Sequence, residues 1–349
     1  MPSRRAILPV RGFLLCAAAT ALLCSACGGS GHTATSAATR AATHGVAAAH
    51  GAVATRPRPR PASVRVTYRP LYALPAPLRD PAFAALAGGR FVMLGGLDAA
   101  DVSSAGVEVA DLHGVRDTSA LPGPQHDAQA AALDGRVYVF GGGDATELDH
   151  ILRYDPTSGG VSQVGALLAP QSDVAVAASD GTAYVVGGFD GSNYLDTVVA
   201  WRPGSAPRVE AHLPVGLRYA AVAVADGGLV VIGGSTPAAA SDAIYRFDLT
   251  THQVRRIGTL PHPITHGDAA VLGSSVYLVG GRGDLLNAQT SDVWAINPVT
   301  GRVRGAGRLP QPTSDAAVAT IGARIVVAGG QSPTSTLAGV GELVPVAAS

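Results

Sequence analysis

Lysine is absent from the 349 residues: all 25 basic side chains are arginine. No lysine nucleophile or Schiff base is therefore open to this chain. Cysteine is almost as scarce. Cys16, Cys24 and Cys27 all lie in the first 27 residues, which excludes a disulfide framework or a cysteine-ligated zinc from the remainder. Charged residues make up 14% and aromatics 5%, while apolar residues reach 47% and the mean hydropathy is +0.26. That balance excludes a largely disordered chain and fits buried strands. The formal net charge is zero; without the first 26 residues, which hold Arg4, Arg5 and Arg11 and no acid, 22 arginines face 25 acids. No basic stripe is legible, so nucleic acid is not an expected partner.

The start of the chain reads as a leader. Three arginines precede the apolar stretch 13–26, too short to span a bilayer comfortably. Leu22-Leu23-Cys24-Ser25-Ala26-Cys27-Gly28-Gly29 resembles a bacterial lipoprotein signal, which implies cleavage after residue 26 and lipidation of Cys27. Ser3-Arg4-Arg5 also resembles a twin-arginine export signal. Residues 27–62 are rich in Ala, Thr, Gly and His and end in alternating Arg and Pro from Arg56 to Pro61, so they are expected to form an extended tether. The implied location is the outer face of the cytoplasmic membrane or the cell envelope, reached through a lipid anchor.

From residue 63 to 349 one feature dominates. Gly-Gly ends a short apolar run six times: Phe91–Gly96, Val137–Gly142, Ala183–Gly188, Leu229–Gly234, Val276–Gly281 and Ile325–Gly330. The intervals are 46, 46, 46, 47 and 49 residues. A period in this range with short strand-like runs marks a radial β-architecture, one blade per repeat. Within residues 127–167 the pattern yields four strands: 127–133, 137–140, 151–154 and 161–167. They are separated by Asp134-Gly135, a polar loop, and Asp155-Pro156-Thr157-Ser158-Gly159. The first strand of every repeat is alanine-rich. Alanine is a poor strand former, but small side chains suit blades that converge on an axis.

The glycine pairs, Tyr154-Asp155-Pro156, and a recurrent Leu-Pro (Leu74-Pro75, Leu121-Pro122, Leu213-Pro214, Leu260-Pro261, Leu309-Pro310) resemble kelch repeats over residues 63–346. The tryptophan typical of that family is replaced by Val161, Val254 and Val303, and its tyrosine by Trp201, Phe247 or Ile296. The resemblance implies an all-β, six-bladed propeller with four antiparallel strands per blade. Only one strand-like stretch, 339–346, follows the last glycine pair, so residues 64–74 are expected to supply the missing outer strand and close the ring.

Counting back from each glycine pair gives two aligned positions at the expected rim. One holds Arg79, His126, Ser172, Arg218, Thr265 and Ser314; the next holds Asp80, Asp127, Asp173, Tyr219, His266 and Asp315. The four aspartates read either as caps of local backbone N–H groups or as oxygen ligands for a cation such as calcium. Arg79, His126, Arg218, Tyr219, His266 and Arg282 are the candidate ligand-binding set, since arginine clamps carboxylates and histidine titrates. No cofactor motif is present, and a galactose-oxidase-like copper site lacks its cysteine. The expected role is a monomeric, membrane-tethered module binding a glycan, peptide or envelope protein. The alternative is a carbohydrate isomerase similar to the exported kelch mutarotases acting on sialic acid, with Arg218 and His266 as its reactive pair.

Overall fold

The computed structural model describes residues 65–346. The expected leader, Cys27 and the tether lie outside them. The described residues form six four-stranded antiparallel sheets around a central axis. The inner strands of blades 1 to 6 are Ala82–Leu86, Gln129–Leu133, Ala175–Ser179, Ala221–Ala225, Asp268–Leu272 and Ala317–Ile321. The last blade is composite. Its outer strand is Val66–Ala73, paired antiparallel with Gly339–Pro345 from the other end of the chain, as the repeat count predicts.

Turn chemistry sets the register inside each blade. Asp134 and Gly135 both take positive φ, 49° and 75°, as a two-residue hairpin requires, and Leu133 then pairs with Arg136. At the outer turn Asp155 accepts a hydrogen bond from the Thr157 N–H (2.8 Å) and Gly159 holds φ +73°. The inner strand of blade 2 starts at Gln129 rather than Asp127, because Asp127 turns to φ +54°.

The described residues have no single central core. Six apolar clusters each join one blade to the next. Val92 and Leu94 of blade 1 pack with Val137 and Val139 of blade 2, and the sixth cluster brings Phe83 and Phe91 of blade 1 against Val326 of blade 6. Trp201, in the position of the family tyrosine, is fully buried between blades 2 and 3 against Tyr138 and Phe140, at centroid distances of 4.9 and 5.4 Å. Aromatics are therefore few but sit where sheets meet, each burying a large area.

The paired glycines fasten neighbouring blades. In every pair the second glycine N–H donates to a carbonyl of the next blade's entry loop: Gly142 to Gln171, Gly188 to Leu217, Gly234 to Ile264. A Cβ on the first glycine would lie 2.1–2.5 Å from that same oxygen at all six joints. Both glycines also hold positive φ. Close approach and backbone conformation thus exclude a side chain together.

Candidate functional site

The loops after the second and fourth strands of each blade share one face, as the isolated bridges Arg79–Leu97, His126–Gly143, Ser172–Phe189, Arg218–Ser235, Thr265–Arg282 and Ser314–Gln331 record. They surround a cavity of about 410 Å³ on the axis, with alanine-rich inner strands for walls. Asp80, Asp127, Asp173, Tyr219, His266 and Asp315 line its mouth.

These six residues form a ring of one unusual conformation. All have φ between +51° and +57°. The Asp80 N–H donates to the Asp315 carbonyl, and likewise Asp173 to Asp127, Tyr219 to Asp173, His266 to Tyr219 and Asp315 to His266, at 2.9–3.2 Å. Aspartate and histidine tolerate the left-handed region better than most residues. The aspartates are therefore there first for backbone geometry. Among the described residues none of the four accepts a backbone N–H, which corrects the capping reading. No group of three or more His, Cys, Asp or Glu stands in metal-ligating geometry among the described residues either. Tyr219 is the exception in the ring: a bulky side chain at φ +53° stores strain of about 1–3 kcal/mol.

The carboxyls pair with each other. Asp80 lies against Asp315, and Asp127 against Asp173. Two carboxyls brought this close in a buried site favour the protonated form of one of them. Burial is the main cause, raising Asp80 well above the usual carboxylate range, Asp127 to about 6 and Asp173 to about 8. Each neighbour's charge adds to the effect. Asp173 also ion-pairs with Arg218, whose charge opposes part of that rise. Below the ring, Asp268 accepts from the Ala269 N–H (2.7 Å) and the Val318 N–H (3.1 Å), tying the inner strands of blades 5 and 6, and burial raises it to about 7.

The cations come from three blades. The Arg218 guanidinium stacks over Phe189 at 4.5 Å, Tyr194 at 5.4 Å and Tyr219 at 4.8 Å, and its Nη2 donates to the Tyr219 hydroxyl (3.2 Å). That hydroxyl donates to Asp127 Oδ2 (3.1 Å). His266 stacks on the Tyr219 ring at 3.7 Å. Arg282 Nη2 donates to His266 Nε2 (3.0 Å), which places the ring proton on Nδ1, facing Thr265 Oγ1 at 2.9 Å. Burial and the charges of Arg282, Arg218 and Arg79 push His266 well below its ordinary value. It is a neutral spacer with both nitrogens engaged. Arg79 bonds Asp101 (2.6 Å), and His126 Nδ1 faces Ser103 Oγ (2.9 Å). Arg282 has no carboxylate within ion-pair distance among the described residues.

The expected rim residues are thus brought together, with Arg218 and His266 on either side of Tyr219 rather than in contact. Phe189, the shelf under Arg218, escaped the sequence reading. It stands directly after a glycine pair, in the same register as Arg282 and across the bridge from the first aligned position, so a third aligned column would have revealed it.

The family described as Kelch motif matches residues 126–159, 172–205 and 216–261, the core of blades 2, 3 and 4. The ring is a propeller carrying kelch motifs. A stretch of 86 residues, 25% of this chain, is 35% identical to Kelch-like protein 25 of Xenopus tropicalis; it spans 14% of that protein's length. The structure titled "Structure of YjhT" is similar with a TM-score of 0.67, covering 79% of this chain and 97% of that one at 18% identity. At that identity the likeness speaks for the fold of this kelch-motif propeller.

The aspartyl pairs make stability depend on pH. A carboxyl raised in the folded state binds more protons folded than unfolded, so stability falls as pH rises toward the folded value. His266, depressed, acts only below its ordinary value near 6.5, where the unfolded chain takes up its proton. Between pH 6.5 and 8 the aspartyl effect stands alone. Unfolding free energy is expected to fall across that window, by up to about 1.4 kcal/mol per pH unit for each retained proton, and the thermal midpoint with it. Asp173→Asn, which keeps a residue tolerant of positive φ, should flatten the slope; an unchanged slope would show that the pair holds no proton there.

Proposed function

We propose that this propeller is an extracytoplasmic binding module, held at the membrane by a lipid on Cys27, whose ligand site is the mouth of the central cavity. Kelch propellers in general serve protein interaction. The observation that carries the reading is the convergence of Arg79, Arg218 and Arg282 from three blades, all acting on one buried neutral histidine. Arg282 is left without an acidic partner among the described residues, while Phe189, Tyr194 and Tyr219 form an aromatic shelf around Arg218. Arginine forks match carboxylates in geometry as well as charge. The ligand is therefore an anionic glycan, peptide or envelope-protein segment that presents a carboxylate to the mouth.

The test is a screen of acidic glycans and peptides, followed by Arg282→Ala. Losing a desolvated arginine–carboxylate contact costs about 2 kcal/mol or more, roughly thirtyfold in Kd. A retained Kd in a variant with wild-type thermal unfolding would place the ligand elsewhere.

The isomerase reading draws support from a different observation, the buried Asp127 and Asp173 carboxyls side by side at the mouth, both raised by burial toward the range where an acid or a base can act. It draws none from His266, whose nitrogens are occupied. Anomer exchange of sialic acid measured by NMR separates the two: no acceleration by the protein removes the isomerase.

A further inference from the structure

The outer strands divide the ring into two electrostatic halves. Those of blades 4, 5 and 6, with the residue leading into each of the last two, carry Arg255 and Arg256; Arg302, Arg304 and Arg308; and Arg65 and Arg69. They contain no acidic residue. The outer strands of blades 1, 2 and 3 hold two arginines and two acids, Arg116 with Asp117 and Arg208 with Glu210. The three arginine-bearing strands are neighbours: a Cβ on Gly301 would lie 2.2 Å from the Ile257 carbonyl, and one on Gly307 2.5 Å from that of Val66. Residues 74–217 hold 7 arginines against 17 acids, whereas the other described residues hold 11 against 8. The sequence shows no basic stripe because Arg65 and Arg69 stand far from Arg255, Arg256 and the arginines of 302–308 along the chain; the ring closure assembles one, and the expectation of none is corrected.

We propose that this arginine edge is a docking surface for a bilayer rich in anionic phospholipid. Arg65, Arg69, Arg255, Arg302 and Arg304 are exposed and have no side-chain ion pair among the described residues. Arg256 and Arg308 are themselves exposed and pair with half-buried carboxylates, Asp242 and Asp292; ion pairs with an exposed arginine are weak. Guanidinium forks take phosphate oxygens bidentately. Four to eight clustered basic side chains next to an anionic leaflet are enough for lipid recognition, at about fivefold in partitioning for each. The chain also enters the ring here: residues 1–64 join the fold at Arg65, just after Arg56, Arg58 and Arg60. With its acidic half repelled, the ring stands on edge and the mouth faces along the surface. This surface is independent of the ligand reading at the mouth.

The test is sedimentation of the full chain with phosphatidylglycerol-rich and phosphatidylcholine vesicles at 0.15 M salt, with hydrogen exchange on the bound protein. Expected are preference for the anionic vesicles, and protection of residues 65–73, 254–259 and 302–308. The triple change Arg69→Ala, Arg255→Ala and Arg304→Ala should lower anionic binding about a hundredfold, while Arg116→Ala with Arg208→Ala leaves it unchanged. Thermal unfolding checks that both variants fold. Equal binding to both vesicle types without that protection, wild-type binding by the triple variant, or retention on duplex DNA but not on vesicles would each overturn the proposal.

Discussion

Gly233→Ala lowers the thermal midpoint of the ring far more than Gly227→Ala, although the two glycines hold nearly the same backbone angle, φ +63° and +70°. At Gly227 a new Cβ meets nothing within 4 Å. The cost is that of a side chain in the left-handed region, about 1–2 kcal/mol. At Gly233 the same Cβ would sit 2.2 Å from the Ile264 carbonyl oxygen. Backbone has to move, and the carbonyl it displaces accepts the Gly234 N–H at 2.9 Å. A buried donor left without a partner adds about 1–3 kcal/mol. The sum, about 4 kcal/mol, is a large share of the 5–15 kcal/mol typical of a folded domain. Because the contact joins blades 4 and 5, the damage falls on a sheet-to-sheet joint rather than a surface turn. Paired chemical-denaturation curves for the two variants decide the matter. Equal shifts would mean that φ alone explains the glycine pairs, and that blade-to-blade approach at that oxygen has slack.

The same joint shows what the sequence could reveal. Six glycine pairs at a steady interval can only recur if each repeat meets its neighbour in the same way, so period, blade count and closure were legible. The two aligned columns at the mouth were legible too, by counting from the glycines. Their physical meaning was not. An aspartate chosen for positive φ and one chosen to cap an N–H look identical in a sequence, and only the observed φ of Asp80, Asp127, Asp173 and Asp315 separates them. Tyr219 and His266 interrupt the aspartates of the second column, a difference that spacing alone makes visible. That they stack on each other, with Arg282 holding the histidine neutral, depends on loop paths that no spacing rule encodes. The arginine edge was hidden for a simpler reason: Arg69 and Arg304 belong to opposite ends of the chain and become neighbours only when the ring closes.

Closure is itself the second large effect. Deleting residues 63–75 should abolish cooperative unfolding rather than merely weaken it. The strand Val66–Ala73 pairs with Gly339–Pro345 from Val66–Pro345 to Ala73–Gly339, with one register shift between Pro70 and Tyr72. Its two faces serve two different joints. Val66 and Tyr68 pack into the cluster shared by blades 5 and 6, while Leu71, Tyr72 and the adjoining Leu74 pack into the one shared by blades 6 and 1. The Tyr68 ring covers Gly341 so closely that a Cβ there would overlap it. Removing the strand therefore strips apolar cover from both sides of blade 6 and exposes the backbone edge of Gly339–Pro345, a template for pairing with other chains. A ring has no weaker place to open, since every other blade is a single continuous stretch of chain whose strands are linked by short loops. The deletion variant is expected to aggregate or to unfold over a broad range, with hydrogen exchange fastest in blades 5, 6 and 1 and slowest in blade 3, which lies farthest from the break. A sharp transition at the wild-type midpoint would show that three strands suffice for the last blade, and that covalent continuity elsewhere, rather than the meeting of the two ends, holds the propeller shut.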